Sequence, residues 1–127
     1  MNINDLTGGI IGAAIEVHKQ LGPGLLESAY EECLCHELEL RNIEYERQKP
    51  LPVKYKKVKL DCGYRLDLVV EGMIILELKS CDKIQDIHRA QLLTYLKLSG
   101  IKLGLLLNFN VPMMKDGVSR VVNNLEE

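Results

Sequence analysis

The stretch Tyr64 to Ser80, YRLDLVVEGMIILELKS, sets charged residues inside what otherwise reads as a buried hairpin. Two runs of branched apolar residues flank Glu71-Gly72, which is a hairpin pattern. Side chains alternate between the two faces of a strand. Glu77 and Lys79 therefore share a face with Ile75, opposite Ile74, Leu76 and Leu78, while Asp67 shares one with Arg65 and Val69. Charges among core residues are costly unless they are paired or bind a metal. The chain must fold so that these three meet.

Whether they meet depends on register. Residues paired across a hairpin point to the same face, so Asp67 needs an odd-numbered partner to join Glu77. A two-residue turn at Glu71-Gly72 would pair Val70 with Met73 and turn Asp67 away. A three-residue loop, Val70-Glu71-Gly72 with glycine left-handed, pairs Val69 with Met73. It places Asp67 opposite Ile75, diagonal to Glu77. That odd loop, or an equivalent bulge, is the expectation.

The 127 residues suffice for one domain with a real core, spanning 1–127. A 46% hydrophobic and 27% charged composition is that of an ordinary globular protein. With a formal net charge of −2, a nucleic-acid partner has to be held by a local patch, not by the whole surface. No run approaches the roughly 18 apolar residues of a membrane span. The start, MNINDLTGG, has no basic leader, so a cytoplasmic location is expected. Cys33, Cys35, Cys62 and Cys81 form no CxxC pair and read as reduced thiols, and their spacing with His18, His36 or His88 fits no zinc-finger pattern.

Asp5 to Leu21 has helical apolar spacing, with Asn4 or Asp5 as cap and Gly22-Pro23-Gly24 as breaker. A second helix is expected from about Leu25 to Arg41, with Leu26, Ala29, Tyr30, Cys33, Leu34, Leu38 and Leu40 on its apolar face and Cys35 largely on the other. Glu27 falls within the apolar face and Glu31 just past its edge. Two roles are open to Glu27: a first-turn acid favoured by the helix dipole, or a carboxylate aimed at the hairpin. Ile43 to Leu60 reads as an edge strand, then a turn near Lys56-Lys57. Lys54, Lys56, Lys57 and Lys59 either protect that edge or contact phosphate. A third helix spans Gln85 to Ser99, ending at Gly100. Its two apolar stripes, Ile87-Ala90-Thr94-Leu98 and Leu92-Leu93-Leu96, predict burial against both the sheet and another helix or a second subunit. Gln91 lies beside the first stripe, either as hydrogen-bonded core or reaching the site. Ile101 to Phe109 reads as an interior strand and Gly117 to Asn123 as a short one, with frayed residues after it.

Asp67 and Glu77 offer hard oxygen ligands suited to Mg²⁺. Lys79 points the same way and could orient water or neutralise charge growing on a phosphate. Glu27 would help hold the metal and Gln91 would position nucleophile or substrate. The competing account is an inert buried Asp–Lys–Glu network. Serine and cysteine hydrolase sites lack a nucleophile–base–orienter set.

Asp67, nine residues, then Glu77-Leu78-Lys79 resembles the signature of the PD-(D/E)XK nuclease superfamily, without a proline before the aspartate. More closely, Gly24-Leu25-Leu26-Glu27-Ser28-Ala29-Tyr30 is similar to the motif of the GxxExxY family of small bacterial and archaeal proteins. The segments GPGLLESAYEECL, ERQ-P-PV, ELK, AQLLTYLK and GLLLNF are similar to that family too, from about Ile10 to Pro112. The resemblance implies an α/β fold, a restriction-endonuclease-like αβββαβ core with a mixed central sheet flanked by helices. It implies Glu27 as the first-helix acid, Asp67 and Glu77 as ligands for Mg²⁺ or Mn²⁺, Lys79 as catalytic lysine and Gln91 as the second-helix glutamine, with Glu31 in reserve for Glu27. The implied activity is a metal-dependent endo- or exonuclease acting on nucleic acid, DNA before RNA. Two alternatives stand beside it: an inactive nuclease-fold module binding nucleic acid or protein, and a structural subunit. A homodimer through the Gln85–Ser99 helix is also expected.

Overall fold

The computed structural model describes residues 2–126. Helix α1 (Ile3–Leu21) starts earlier than the expected Asn4 or Asp5 cap, because the Asn2 side chain accepts from the Asp5 N–H at 2.8 Å. It stops at Gly22, whose φ of 70° leaves the helical region. Tyr30, in the first turn of α2 (Glu27–Leu40), clamps the break that follows. Its hydroxyl donates to the Gly22 carbonyl at 2.6 Å and accepts from the Leu25 N–H at 3.0 Å, and its ring stacks on Phe109 at 4.5 Å. A loop of Gly-Pro-Gly is thus pinned by one buried side chain.

The expected apolar face of α2 is rotated. Leu26 caps the helix from outside and is exposed, as is Leu40, whereas Cys35 and Glu31 are buried. The cause is a partner that the helical wheel cannot show: the first strand supplies polar groups that make Glu31 tolerable inside.

The strands are β1 (Tyr45–Pro50), β2 (Val53–Tyr55), β3 (Val58–Leu60), β4 (Arg65–Val70), β5 (Ile74–Lys79), β6 (Leu103–Asn108) and β7 (Val118–Val122). Five form a mixed sheet in the order β1-β4-β5-β6-β7, with only β5 and β6 parallel. Helix α3 (Asp86–Ser99) makes the crossover between that pair. It is capped by a reciprocal pair of bonds between Gln85 and His88 and ends on left-handed Gly100. The expected α/β core is present, with β1 at the edge. Strands β2 and β3 form a separate two-stranded arm turning at Lys56-Lys57.

Alternation along the central strands builds two cores. Leu68, Val70, Ile74, Leu76, Leu78, Leu103, Leu105 and Leu107 pack beneath α1 and α2. Val69, Ile75 and Leu106 face Leu92, Tyr95 and Leu96 of α3. Gly104 brings α3 close, since a Cβ there would lie 2.8 Å from the Leu92 side chain. The tail is less frayed than expected: Leu125 packs on the first core, and the last position expected to fray, residue 127, lies outside the described residues.

Two further expectations are corrected. The hairpin loop is Glu71-Gly72-Met73, closed by Met73 N–H to the Val70 carbonyl at 2.9 Å, and Val70 pairs with Ile74. Glu71 itself takes φ 53°, so a non-glycine residue helps make the turn. The loop keeps its odd length but slides by one residue, so Asp67 continues the register directly opposite Glu77. Within one copy helix α3 is buried against the sheet alone: Leu92, Tyr95 and Leu96 meet it, while Ile87, Ala90 and Thr94 are exposed and no other helix among the described residues covers them.

Candidate active site

Asp67 and Glu77 meet where β4 and β5 cease to pair by backbone. The ladder's last pair is Leu68 with Leu76. Beyond it the carboxylates take the backbone donors: Glu77 Oε2 accepts from the Asp67 N–H at 3.2 Å, and Asp67 Oδ2 accepts from the Leu78 N–H at 2.8 Å. Each acid thus braces the other's strand. Glu77 retains only 7% exposure, while Asp67 and Lys79 are half-buried.

Burial first, then the Asp67 charge and a hydrogen bond between the two carboxyls, push the Glu77 pKa up to about 9. The Asp67 N–H and the Lys79 ammonium pull the other way without prevailing. Two carboxyls this close cannot both ionise cheaply at neutral pH, so the pair holds a proton. Such a pair is a donor set that a divalent cation would fit, replacing the proton with two positive charges. Lys79 makes no ion pair among the described residues and stays available on the same face.

The strand leaving the site is stitched down. The buried Asn108 side chain donates to the Cys81 carbonyl at 2.9 Å and accepts from the Cys81 N–H at 3.2 Å. The Phe109 N–H bonds the Lys79 carbonyl at 3.0 Å, and the Ser80 hydroxyl donates to the Leu25 carbonyl at 2.6 Å. That last bond moors the start of α2 to the end of β5.

Glu27 does not face inward as expected. It sits exposed in the first turn of α2, beside Ser80 in a shallow depression. Among the described residues no three His, Cys, Asp or Glu side chains gather as a metal cluster, so the expected trio of Glu27, Asp67 and Glu77 does not assemble. Glu31 is the buried first-helix acid. It accepts from Arg47 Nε and Gln48 Nε2, both at 2.7 Å, on the α2 side of the sheet. Bonds from Glu31 and then Glu32 hold the Arg47 pKa above its usual value. Gln91 is exposed and lines a groove with Tyr95.

Gln48 is a feature the sequence did not announce. It lies opposite Asp67 when the β1–β4 register is continued between Arg47–Leu68 and Lys49–Leu66. In a regular strand it would share the face of Asp67. Its φ of 52° instead lets its amide reach Glu31. A left-handed glutamine has no local signal; the acid that holds it lies 17 positions away.

A family model for the PD-(D/E)XK nuclease superfamily matches residues 4–121. The chain belongs to that superfamily. No curated protein and no solved structure matches it. PD-(D/E)XK nucleases are generally dependent on divalent metal, and membership points to nuclease activity and to nucleic acid as partner. Among the described residues no helix is long and apolar enough to cross a membrane.

Proposed function

We propose that the chain is a single-domain, metal-dependent nuclease that hydrolyses phosphodiester bonds in nucleic acid, DNA before RNA. The observation that carries this is the facing pair Asp67 and Glu77 with Lys79 one alternation further along the same strand. Asp67 and Glu77 would hold Mg²⁺ or Mn²⁺, which supplies Lewis-acid polarisation of a phosphodiester. The backbone N–H of Leu78 orients the Asp67 carboxylate, and that of Asp67 orients Glu77. Lys79 neutralises charge growing on the phosphate and orients the attacking water. Glu27, at the rim by Ser80, and Gln91, beside Tyr95, act on the substrate side. The GxxExxY relationship fits the same picture: Gly24 adopts φ 96° and Tyr30 locks the loop that moors α2 to β5. A cytoplasmic location belongs to this reading.

The test is incubation with supercoiled, linear, single-stranded and branched substrates in Mg²⁺ or Mn²⁺. Cleavage should fall by at least about 100-fold in Lys79→Ala, the scale of a lost charge-stabilising group. Cleavage unchanged by that substitution would overturn the mechanism. One observation favours a second reading, a nuclease fold that binds nucleic acid or protein without turnover: no third ligand joins the carboxylate pair among the described residues. Binding in chelator with no cleavage under any condition would select it. If the chain forms a homodimer, the exposed α3 residues Ile87, Ala90 and Thr94, beside half-buried Leu98, are where two copies would meet.

A further inference from the structure

A groove of about 480 Å³ runs along α3 between Tyr64, Tyr95 and Val53 of the β2–β3 arm. Its walls are largely apolar, with Ile87 and Leu98 on one side and the Gln91 amide among them. The inner end is Tyr95, whose hydroxyl pKa is raised by burial and then by the Glu77 charge, with Tyr64 and Asp67 adding to it. Tyr95 packs in one cluster with Val69 and Ile75, so the groove borders the sheet face that carries Asp67 and Glu77. Tyr64 stands at its mouth, 46% exposed, its ring 6.1 Å from that of Tyr95 and tilted by 57°. Such an opening leaves one face of Tyr64 available for a flat ring.

The arm that borders the groove is electrostatically unfinished. Lys54 lies directly opposite Lys59, and Lys56 and Lys57 form the turn. None of the four makes an ion pair among the described residues. Like charges facing one another across a two-stranded ribbon are unfavourable, and such ribbons are marginal alone. In a chain of net charge −2, this is a local concentration of positive charge awaiting anions.

We propose that this groove and arm bind an unpaired stretch of nucleic acid, with bases against Tyr64 and phosphates on the arm lysines, delivering the strand to Asp67 and Glu77. The proposal rests on the nuclease reading and names its substrate as single-stranded or unpaired. A duplex keeps its base faces stacked inside and exposes only base edges, sugars and phosphates, with no flat face for Tyr64. An unstacked base offers a flat apolar face to Tyr64 and a hydrogen-bonding edge to Gln91.

The test measures anisotropy of labelled single-stranded and duplex DNA and RNA oligonucleotides of equal length with the full chain in chelator, so that nothing is cut. Single strands should bind at least tenfold tighter than duplex. Tyr64→Ala should weaken single-strand binding roughly 5- to 100-fold and leave duplex binding unchanged. Removing Lys54 and Lys59 together should flatten the salt dependence of single-strand binding by a slope of about 1.4. Thermal melts of each variant report whether the fold is kept, and Tyr64→Phe, which keeps the ring, should bind like wild type. Equal affinity for single strand and duplex, or indifference to Tyr64→Ala, overturns the proposal. So does sedimentation showing a dimer that Ile87→Asp dissociates, because the groove would then be filled by a second copy. Single-strand cleavage that survives Tyr64→Ala unchanged would sink this inference and keep the nuclease. Tight Tyr64-dependent binding without cleavage in any metal would do the reverse.

Discussion

Glu77→Gln in metal-free protein isolates the electrostatic cost of the site. The wild-type carboxyl titrates near 9 when folded, against an ordinary value of 4.5. A raised carboxyl pKa means that the folded state binds the proton more tightly than the unfolded state. The contribution of Glu77 to stability is therefore complete below 4.5 and is lost as pH rises from 4.5 towards 9. At pH 7 that climb covers 2.5 units, worth up to about 3 kcal/mol at 1.36 kcal/mol per unit. Glutamine keeps the shape and the acceptor for the Asp67 N–H but has no charge to develop. It also supplies donors to the neighbouring Asp67. In chelator at pH 7 the variant should be more stable by up to about 3 kcal/mol, or on the order of 10 °C in melting temperature. Near pH 4.5 the two proteins should converge. Urea denaturation of both across pH 4.5 to 8 measures the difference directly. A variant no more stable than wild type at pH 7, or a difference flat with pH, would refute the account of a proton held between the two acids.

Glu31→Gln removes the buried charge that receives Arg47 and Gln48 and should cost about 1–2 kcal/mol by urea midpoint, since the exposed guanidinium keeps Glu32 at 2.6 Å. Tyr30→Phe keeps the stack on Phe109 but frees the Gly22 carbonyl and Leu25 N–H, for an expected loss of about 1–2 kcal/mol in thermal melts. Gly104→Ala drives a methyl into Leu92 and should cost about 1–3 kcal/mol, with the change seen in the environment of Tyr95 by near-ultraviolet circular dichroism.

The convergence of Asp67, Glu77 and Lys79 was legible because strand alternation has a period of two, which survives any even slip of register. The loop's position was not, since it depends on Glu71 accepting a left-handed backbone, a choice made by the surrounding ladder. The error on α2 has a similar source. A helical wheel ranks Glu31 by direction, but its burial is decided by Arg47 and Gln48, which arrive from another element. For α3 the two apolar stripes were visible, yet nothing in the residues says which stripe finds the sheet. Geometry decided for Leu92 and Leu96, where Gly104 opens the space.

The β2–β3 arm stands outside the five-stranded sheet, and one backbone bond, Leu51 N–H to the Tyr64 carbonyl at 3.0 Å, closes its base. Its length and its lysines can therefore change without moving the strands that carry the acids. On the proposed reading the scaffold divides the labour, with cutting assigned to the middle and choosing to a replaceable finger. Replacing that finger in this chain would show whether it alone directs what is bound.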